Sequence, residues 1–166
     1  EDVRLPVDAL LGEKGGAFGA IEHANARGVC ALTAEALGLM ERARKLTADY
    51  LAQRTQFGQP IGKFQALQFR MADLIIEIEQ SRSAVINLAG HLDDAREDRE
   101  LHVSATKQLV GQTAKLVVEE SIQLHGGIGM TMEYDLGHFA RRLTMTDHRL
   151  GDALYHLGRF TRLRAA

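Results

Sequence analysis

Arg54 opens the stretch "RTQFGQPIGKFQALQFRMADL", residues 54–74, and Gln123 opens a second, "QLHGGIGM", residues 123–130. A guanidinium offers a rigid fork of donors that matches phosphate or carboxylate. The Gln123 amide can donate and accept hydrogen bonds. Gly126 and Gly127 would let the backbone approach a ligand closely. Such a set suits an anionic ligand with hydrogen-bonding edges. Each member also has a plainer role. A cation is favourable near a helix C-terminus, and glycine after a helix is ordinary capping. These residues alone leave both readings open.

Other chemistries find less support. The Glu-x-x-His pairs of a di-iron bundle are absent from the sequence. Asp152 and His156 are i, i+4 neighbours, but two ligands are too few for a structural zinc. A surface pair and no metal are therefore expected. Cys30 lies in the apolar run "VCALTAEALGLM", where a thiol is inert packing. "HGGIGM" lacks the preceding strand that a dinucleotide fingerprint requires.

The elements that must hold these groups read as helices. The first dozen residues, punctuated by Pro6 and Gly12, suggest an extended tail or strand. From about Ala17 to Arg54 there is neither proline nor a turn cluster, so one long helix is expected. Gly28 and Gly38 weaken it by about 1 kcal/mol each relative to alanine. "FGQPIG" breaks it, and Phe64, Leu67, Met71, Leu74, Ile78, Val85, Leu88 and Leu92 then draw one stripe down a second helix. Arg82 interrupts that stripe. After the polar corner "HLDDAREDRE", Asp98 can cap a third helix carrying Leu101, Ala105, Leu109, Leu116 and Val117. Gly126 or Gly127 can end it in the left-handed conformation. Shorter helices are expected near 134–144 and 152–164. The fold class is all-α: an up-down bundle of about four helices with one or two shorter C-terminal helices.

Composition agrees. The 166 residues are 45% apolar and 25% charged with two prolines, which suits a folded domain with one core. Lys and Arg number 20 against 22 Asp and Glu, so nucleic acid meets no broad basic field. No apolar run reaches the roughly 18 residues of a membrane span, and "EDVRLPVDALLGEKGG" lacks the features of a secretory signal. A single cysteine excludes an internal disulfide and fits a reducing compartment. A cytoplasmic location, or the mitochondrial matrix in a eukaryote, is the expectation.

Taken together, the two blocks resemble the C-terminal helical domain of the acyl-CoA dehydrogenase family. The first is similar to that family's run of Arg, a Phe-Gly turn, Pro-Ile/Leu, Phe-Gln and Ala-Asp. "QLHGGIGMTMEYDLGHFARR" is similar to its Gln-x-His-Gly-Gly-x-Gly-x-x-x-Glu-Tyr segment. "AEALGLM" also fits, and "VRLPVDALLGEKGGAF" resembles the lead-in from the family's middle β-domain. Residues 1–15 are accordingly expected to be that lead-in and 16–166 the bundle.

The resemblance implies α,β-dehydrogenation of an acyl-CoA thioester, in which a base removes an α-proton while the β-hydride passes to FAD. It implies packing with same-family subunits into dimers or tetramers, contact with a neighbouring subunit's FAD, and an electron-transfer flavoprotein as redox partner. By position, the implied FAD contacts are Arg54, Gln56, Phe57, Phe64 and Gln65. The second block adds Gln123, Leu124, His125, Gly126 and Gly127. Arg82 falls where family members often keep an arginine, and a buried ion pair is expected there.

The usual base does not carry over. Its glutamate position falls on Leu150, with Asp152 at the following threonine. The minority position on the first helix falls at Gly28, or near Ala26 if Arg27 is the matching arginine. Leucine, glycine and alanine cannot accept a proton. Three explanations stay open: Asp147 or Asp152 substitutes, the chain is a non-catalytic subunit of a heteromeric dehydrogenase, or the chemistry differs. A helical oligomerisation module without a flavin role is the alternative from another class. A complete family member has two further domains, so these residues are expected to be one domain of three and inactive alone.

Overall fold

The computed structural model describes residues 2–165. Its α-helices are α1 (Phe18–Gln53), α2 (Gln65–Gly90), α3 (Arg96–His125), α4 (Leu136–His148) and α5 (Ala153–Ala165). A minimal hairpin, β1 (Thr55–Gln56) with β2 (Gln59–Pro60), joins α1 to α2. The bundle is up-down, and its fourth column is shared. Glu22 pairs with Arg96 near the starts of α1 and α3, and Tyr50 stacks on His125 near their ends, so these helices run in parallel. Arg70 of α2 pairs with Glu120, and Thr106 donates to the Ala84 carbonyl, which makes α2 antiparallel to α3. Then α4 returns along the C-terminal half of α3, and α5 continues along its N-terminal half. Two short helices in series therefore supply one column.

α1 runs through Gly28 and Gly38 because packing overrides propensity. Ala26, Val29, Ala36, Met40 and Ala43 recur at helical spacing and are buried. It stops at Arg54, whose backbone turns extended. The hairpin loop is Phe57-Gly58 with φ of 52° and 78°. Positive φ at both central residues is the primed turn whose twist matches the strands. After it, Gly62 lets the chain press onto α1: an added Cβ would lie 3.0 Å from the Leu51 carbonyl oxygen.

Along α2 the buried line is Leu74, Ile78, Ser81, Val85 and Leu88. The step after Ile78 lands on Ser81 rather than Arg82, because a 3.6-residue turn alternates steps of three and four. Arg82 is therefore paired, with Glu41 and Glu79, but at the half-exposed edge and not in the core as expected.

α3 is central and packs on the other four helices. Its apolar line is Val103, Val110, Val117 and Leu124, spaced by seven and buried. Of the expected stripe only Val117 is fully buried, and Ala105 is exposed. The helix begins at Arg96 after Ala95, so Asp98 sits within the first turn and is not the cap. There its charge still favours the positive end of the helix dipole. At the far end Gly126 takes φ 66°, ψ −144°, a region open essentially to glycine alone but not left-handed helical.

The main core joins α1 to α4, and a second cluster of Ala26, Val29, Leu88 and Val103 closes the opposite end. Cys30 packs against the latter, and burial pushes its thiol pKa up. Among the described residues of the stretch expected to be a lead-in, 2–15, no strand forms. The stretch holds only a 3-10 turn at Val7–Ala9 and exposes Val3, Leu5, Val7, Leu10 and Leu11. Among the described residues, no helix is long and apolar enough to cross a membrane.

Candidate functional site

The two sequence blocks meet at one end of the bundle. The rings of Tyr50 and His125 stack with centroids 4.6 Å apart. Arg54 follows one turn after Tyr50, and Gln123 lies two residues before His125. His125 is buried. Its Nδ1 lies 2.8 Å from the Ser121 carbonyl, and its Nε2 lies 3.3 Å from the Tyr134 hydroxyl. Burial pushes the His125 pKa down, against the opposite pull of the Ser121 and Leu46 carbonyls, and pushes that of Tyr134 up; the imidazole sits between the rings of Tyr50 and Tyr134.

This burial divides the ten expected cofactor contacts. Arg54, Gln56, Phe57, Gln65, Gln123, Gly126 and Gly127 are exposed, and Phe64 is half-buried, edge-on to Phe57. Leu124 and His125 turn their side chains into the core. They can meet a ligand only through backbone atoms. The exposed set combines a guanidinium, amides, an apolar ring and a side-chain-free corner at Gly126. Those types suit a dinucleotide with a diphosphate, so the residues fit FAD.

A second constellation surrounds the corner between α4 and α5. Lys107, fully buried on α3, donates to the carbonyls of Asp147 at 2.9 Å and Gly151 at 2.7 Å. Its Nζ lies 3.8 Å from Asp147 Oδ1, and burial pushes its pKa down. Asp147 Oδ1 accepts the Ala153 N–H at 3.1 Å, and Asp152 Oδ1 accepts that of Tyr155 at 2.7 Å. Both carboxylates considered as substitute bases thus brace the first turn of α5. His156 is not a surface residue paired with Asp152, as expected, but 1% exposed. Its Nε2–H donates to the Leu150 carbonyl at 2.9 Å, and burial pushes its pKa down. The amphipathic face of α5 turns it inward onto α3.

So braced, the corner holds Leu150 at φ 57° and Gly151 at φ 93°. Leu150 projects toward α1, where a Cβ on Gly28 would come 3.2 Å from its Cδ1. The two positions implied for the base face each other, and neither carries an acid. Beside them opens a cleft of about 400 Å³, walled by Phe18, Ile21, Asn25, Leu150 and Tyr155. Glu22 and Arg159 form its polar side.

Behind that side lies a charge network absent from the sequence reading. Arg159 bonds to Glu22 at 2.9 Å and Glu100 at 2.8 Å, Arg96 to Glu22 at 2.6 Å, and Arg99 to Glu100 at 2.8 Å. Burial would raise the Glu22 pKa, but the Arg96, Arg159 and Arg99 guanidiniums outweigh it and hold the carboxyl below its usual range. "REDRELH" reads locally as a solvated face, and only partner helices distant in sequence make its Arg99 and Glu100 interior.

Comparison with known proteins places this architecture. Residues 19–153 match the family model described as acyl-CoA dehydrogenase, C-terminal domain. The chain is 31% identical over 146 residues to the short-chain specific acyl-CoA dehydrogenase of Megasphaera elsdenii, covering 88% of this chain and 38% of that protein. The butyryl-CoA dehydrogenase structure from Megasphaera elsdenii superposes with a TM-score of 0.92 at 28% identity, over 100% of this chain and 43% of the other. A chain of the ChsE4-ChsE5 complex from Mycobacterium tuberculosis gives 0.80 at 27% identity, over 85% and 38%. The chain thus spans well under half the length of these relatives. It belongs to the acyl-CoA dehydrogenase family, of which it forms the C-terminal helical domain.

Proposed function

We propose that this domain belongs to a base-less subunit of an FAD-dependent acyl-CoA dehydrogenase, lending flavin contacts to a same-family partner that carries the base. The observation behind this reading is the pairing of Leu150 with Gly28 while Asp147 and Asp152 are committed to bracing α5. A base must come within hydrogen-bond reach of the proton it takes, and among the described residues no free carboxylate stands at that place. The ChsE4-ChsE5 relative is itself a complex of two named components.

The spacing of the two constellations supports an exchange between subunits. At about 1.5 Å of rise per residue, Arg54 lies roughly 39 Å along α1 from Gly28. One dinucleotide does not bridge that span, so the exposed face and the cleft serve different flavins. Bound FAD supplies the acceptor for the substrate's β-hydride. Arg54 holds diphosphate charge, Gln56 and Gln123 offer amides to polar edges, and Phe57 covers an apolar face. An acyl-CoA thioester is the substrate, and an electron-transfer flavoprotein is the redox partner.

The test is flavin content of the full-length protein, purified alone and co-expressed with a same-family partner. Co-expression should give a flavin-loaded hetero-oligomer, and Arg54→Ala or Gln123→Ala should lower its flavin retention. Unchanged retention in both variants would overturn the contact assignment. Turnover of an acyl-CoA panel should persist in Asp152→Asn and disappear when the partner's glutamate is replaced by glutamine.

A further inference from the structure

The two blocks at the hairpin end of the bundle leave it from different helices. Arg54 turns extended directly after α1, and Gly126 departs from α3 at φ 66°, ψ −144°. The last turn of a helix has no following turn to hold its carbonyls, so the spacing of the two segments depends on side chains between them. There the rings of Tyr50 and His125 stack, with centroids 4.6 Å apart and planes 26° from parallel. The Tyr50 carbonyl accepts the Arg54 N–H at 2.8 Å, and His125 is the residue before Gly126. Each ring is therefore tied to the backbone of its own block.

His125 is 4% exposed, at a place where leucine would pack without any polar atom to satisfy. Burying a polar group is costly unless it is met, and here both nitrogens are. Nδ1 lies 2.8 Å from the Ser121 carbonyl and Nε2 3.3 Å from the Tyr134 hydroxyl. A satisfied buried network fixes the rotation of the ring, which an aliphatic side chain would leave to packing alone. The Tyr134 ring backs the imidazole, 5.1 Å between centroids. The 3-10 turn Gly126–Met130 folds directly over it: a Cβ on Gly129 would stand 3.0 Å from His125 Cβ and 3.2 Å from the Ile122 carbonyl oxygen. One imidazole thus holds α1, this turn and the segment leading into α4.

We propose that Tyr50 and His125 are positioning residues of the flavin-contact face: their stacked rings, backed by Tyr134, set how Arg54 and the Gly126 corner stand to each other, and so whether one dinucleotide can meet both. The inference rests on the reading of Arg54 and Gln123 as flavin contacts. The rings act through Arg54 and the corner. A site of this kind tolerates about 0.5 Å of misplacement in its contacting groups, so a shift between the ends of α1 and α3 is felt in affinity without the loss of any contacting atom.

The experiment titrates FAD into the deflavinated full-length protein, co-expressed with its same-family partner, and follows flavin fluorescence. The variants are Arg54→Ala, Tyr50→Leu, Tyr50→Phe and the double variant Tyr50→Leu/Arg54→Ala. Arg54→Ala should raise the dissociation constant about tenfold, the loss expected of one charge-assisted hydrogen bond. Tyr50→Leu should weaken binding by a similar factor, whereas Tyr50→Phe, which keeps the stack, should bind as the wild type does. With Leu at position 50, the further change Arg54→Ala should cost about twofold at most, because residues acting through one another are not additive. If Tyr50→Leu does not assemble, Tyr134→Leu, which removes the opposite ring, replaces it. A tenfold cost of Arg54→Ala in both backgrounds would mean that the stack merely supports the fold, and would overturn the proposal while leaving the flavin contact standing. Weakening by Tyr50→Phe equal to that by Tyr50→Leu would overturn it too. No effect of Arg54→Ala in the otherwise wild-type protein would remove the flavin reading of Arg54, and the inference with it.

Discussion

Gly28 and Leu150 are in contact across the bundle: the Cβ that Gly28 lacks would lie 3.2 Å from Leu150 Cδ1. The corner between α4 and α5 thereby touches α1 midway along the shared fourth column, where a two-helix column leaves a gap that one long helix would not. At the contact itself the two faces are apolar, and Asp147, Asp152 and Lys107 nearby are spent on holding the corner.

This contact sets apart two glycines. In Gly28→Ala the half-exposed Leu150 can yield a few tenths of an ångström, and alanine gains about 1 kcal/mol of helix propensity. A small rise in the urea midpoint is expected. Gly111→Ala meets Asp147 Oδ1, which Ala153 and Lys107 hold in place. It should lose about 1–3 kcal/mol, as overpacking does. Equal effects from the two would contradict the difference in rigidity between their neighbours.

Phe57 is 88% exposed and has positive φ, a conformation that suits asparagine better in a two-residue hairpin loop. Phe57→Asn should stabilise the isolated fold by about 1 kcal/mol while lowering flavin retention in the oligomer. Thermal melting and flavin absorbance read the two effects separately. Retention that survives the substitution would remove Phe57 from the flavin contacts.

Glu100, 0% exposed, accepts from both Arg99 and Arg159. Removing one member of a buried charge network costs about 3–5 kcal/mol, because the partners stay desolvated. Glu100→Ala should therefore lower the chemical denaturation midpoint sharply. A loss comparable with an exposed pair such as Lys45–Asp49 would show that water reaches the network.

The imidazoles of His102, His125 and His156 are all held below their ordinary value of 6.5, each chiefly by burial. The folded state then binds fewer protons than the unfolded state just below that value. Their contribution is full above 6.5 and is lost as pH falls toward the lowered folded values. Stability measured by urea denaturation should decline as pH drops from about 7 to about 5, less steeply in His125→Gln. A slope unaltered by that substitution would discount His125 as a contributor.

Helix existence was legible because it rests on local spacing. Phe64 to Leu88 repeats at threes and fours, and α1 lacks any breaker before "FGQP". The resemblance of the two blocks likewise needs only chain order, and the fold keeps them at one end. What the sequence could not display was the inside of α3. Lys107 and Glu100 look like solvated residues until helices far along the chain cover them, and Arg159 reaches Glu22 across 137 positions. The same holds for the site. Leu150 and Gly28 each read as a missing acid, but their contact, and the bracing of Asp147 and Asp152, belong to the tertiary structure. A desolvated charge or a strained leucine is stable only through partners that folding brings in, and those partners have no fixed spacing in the chain.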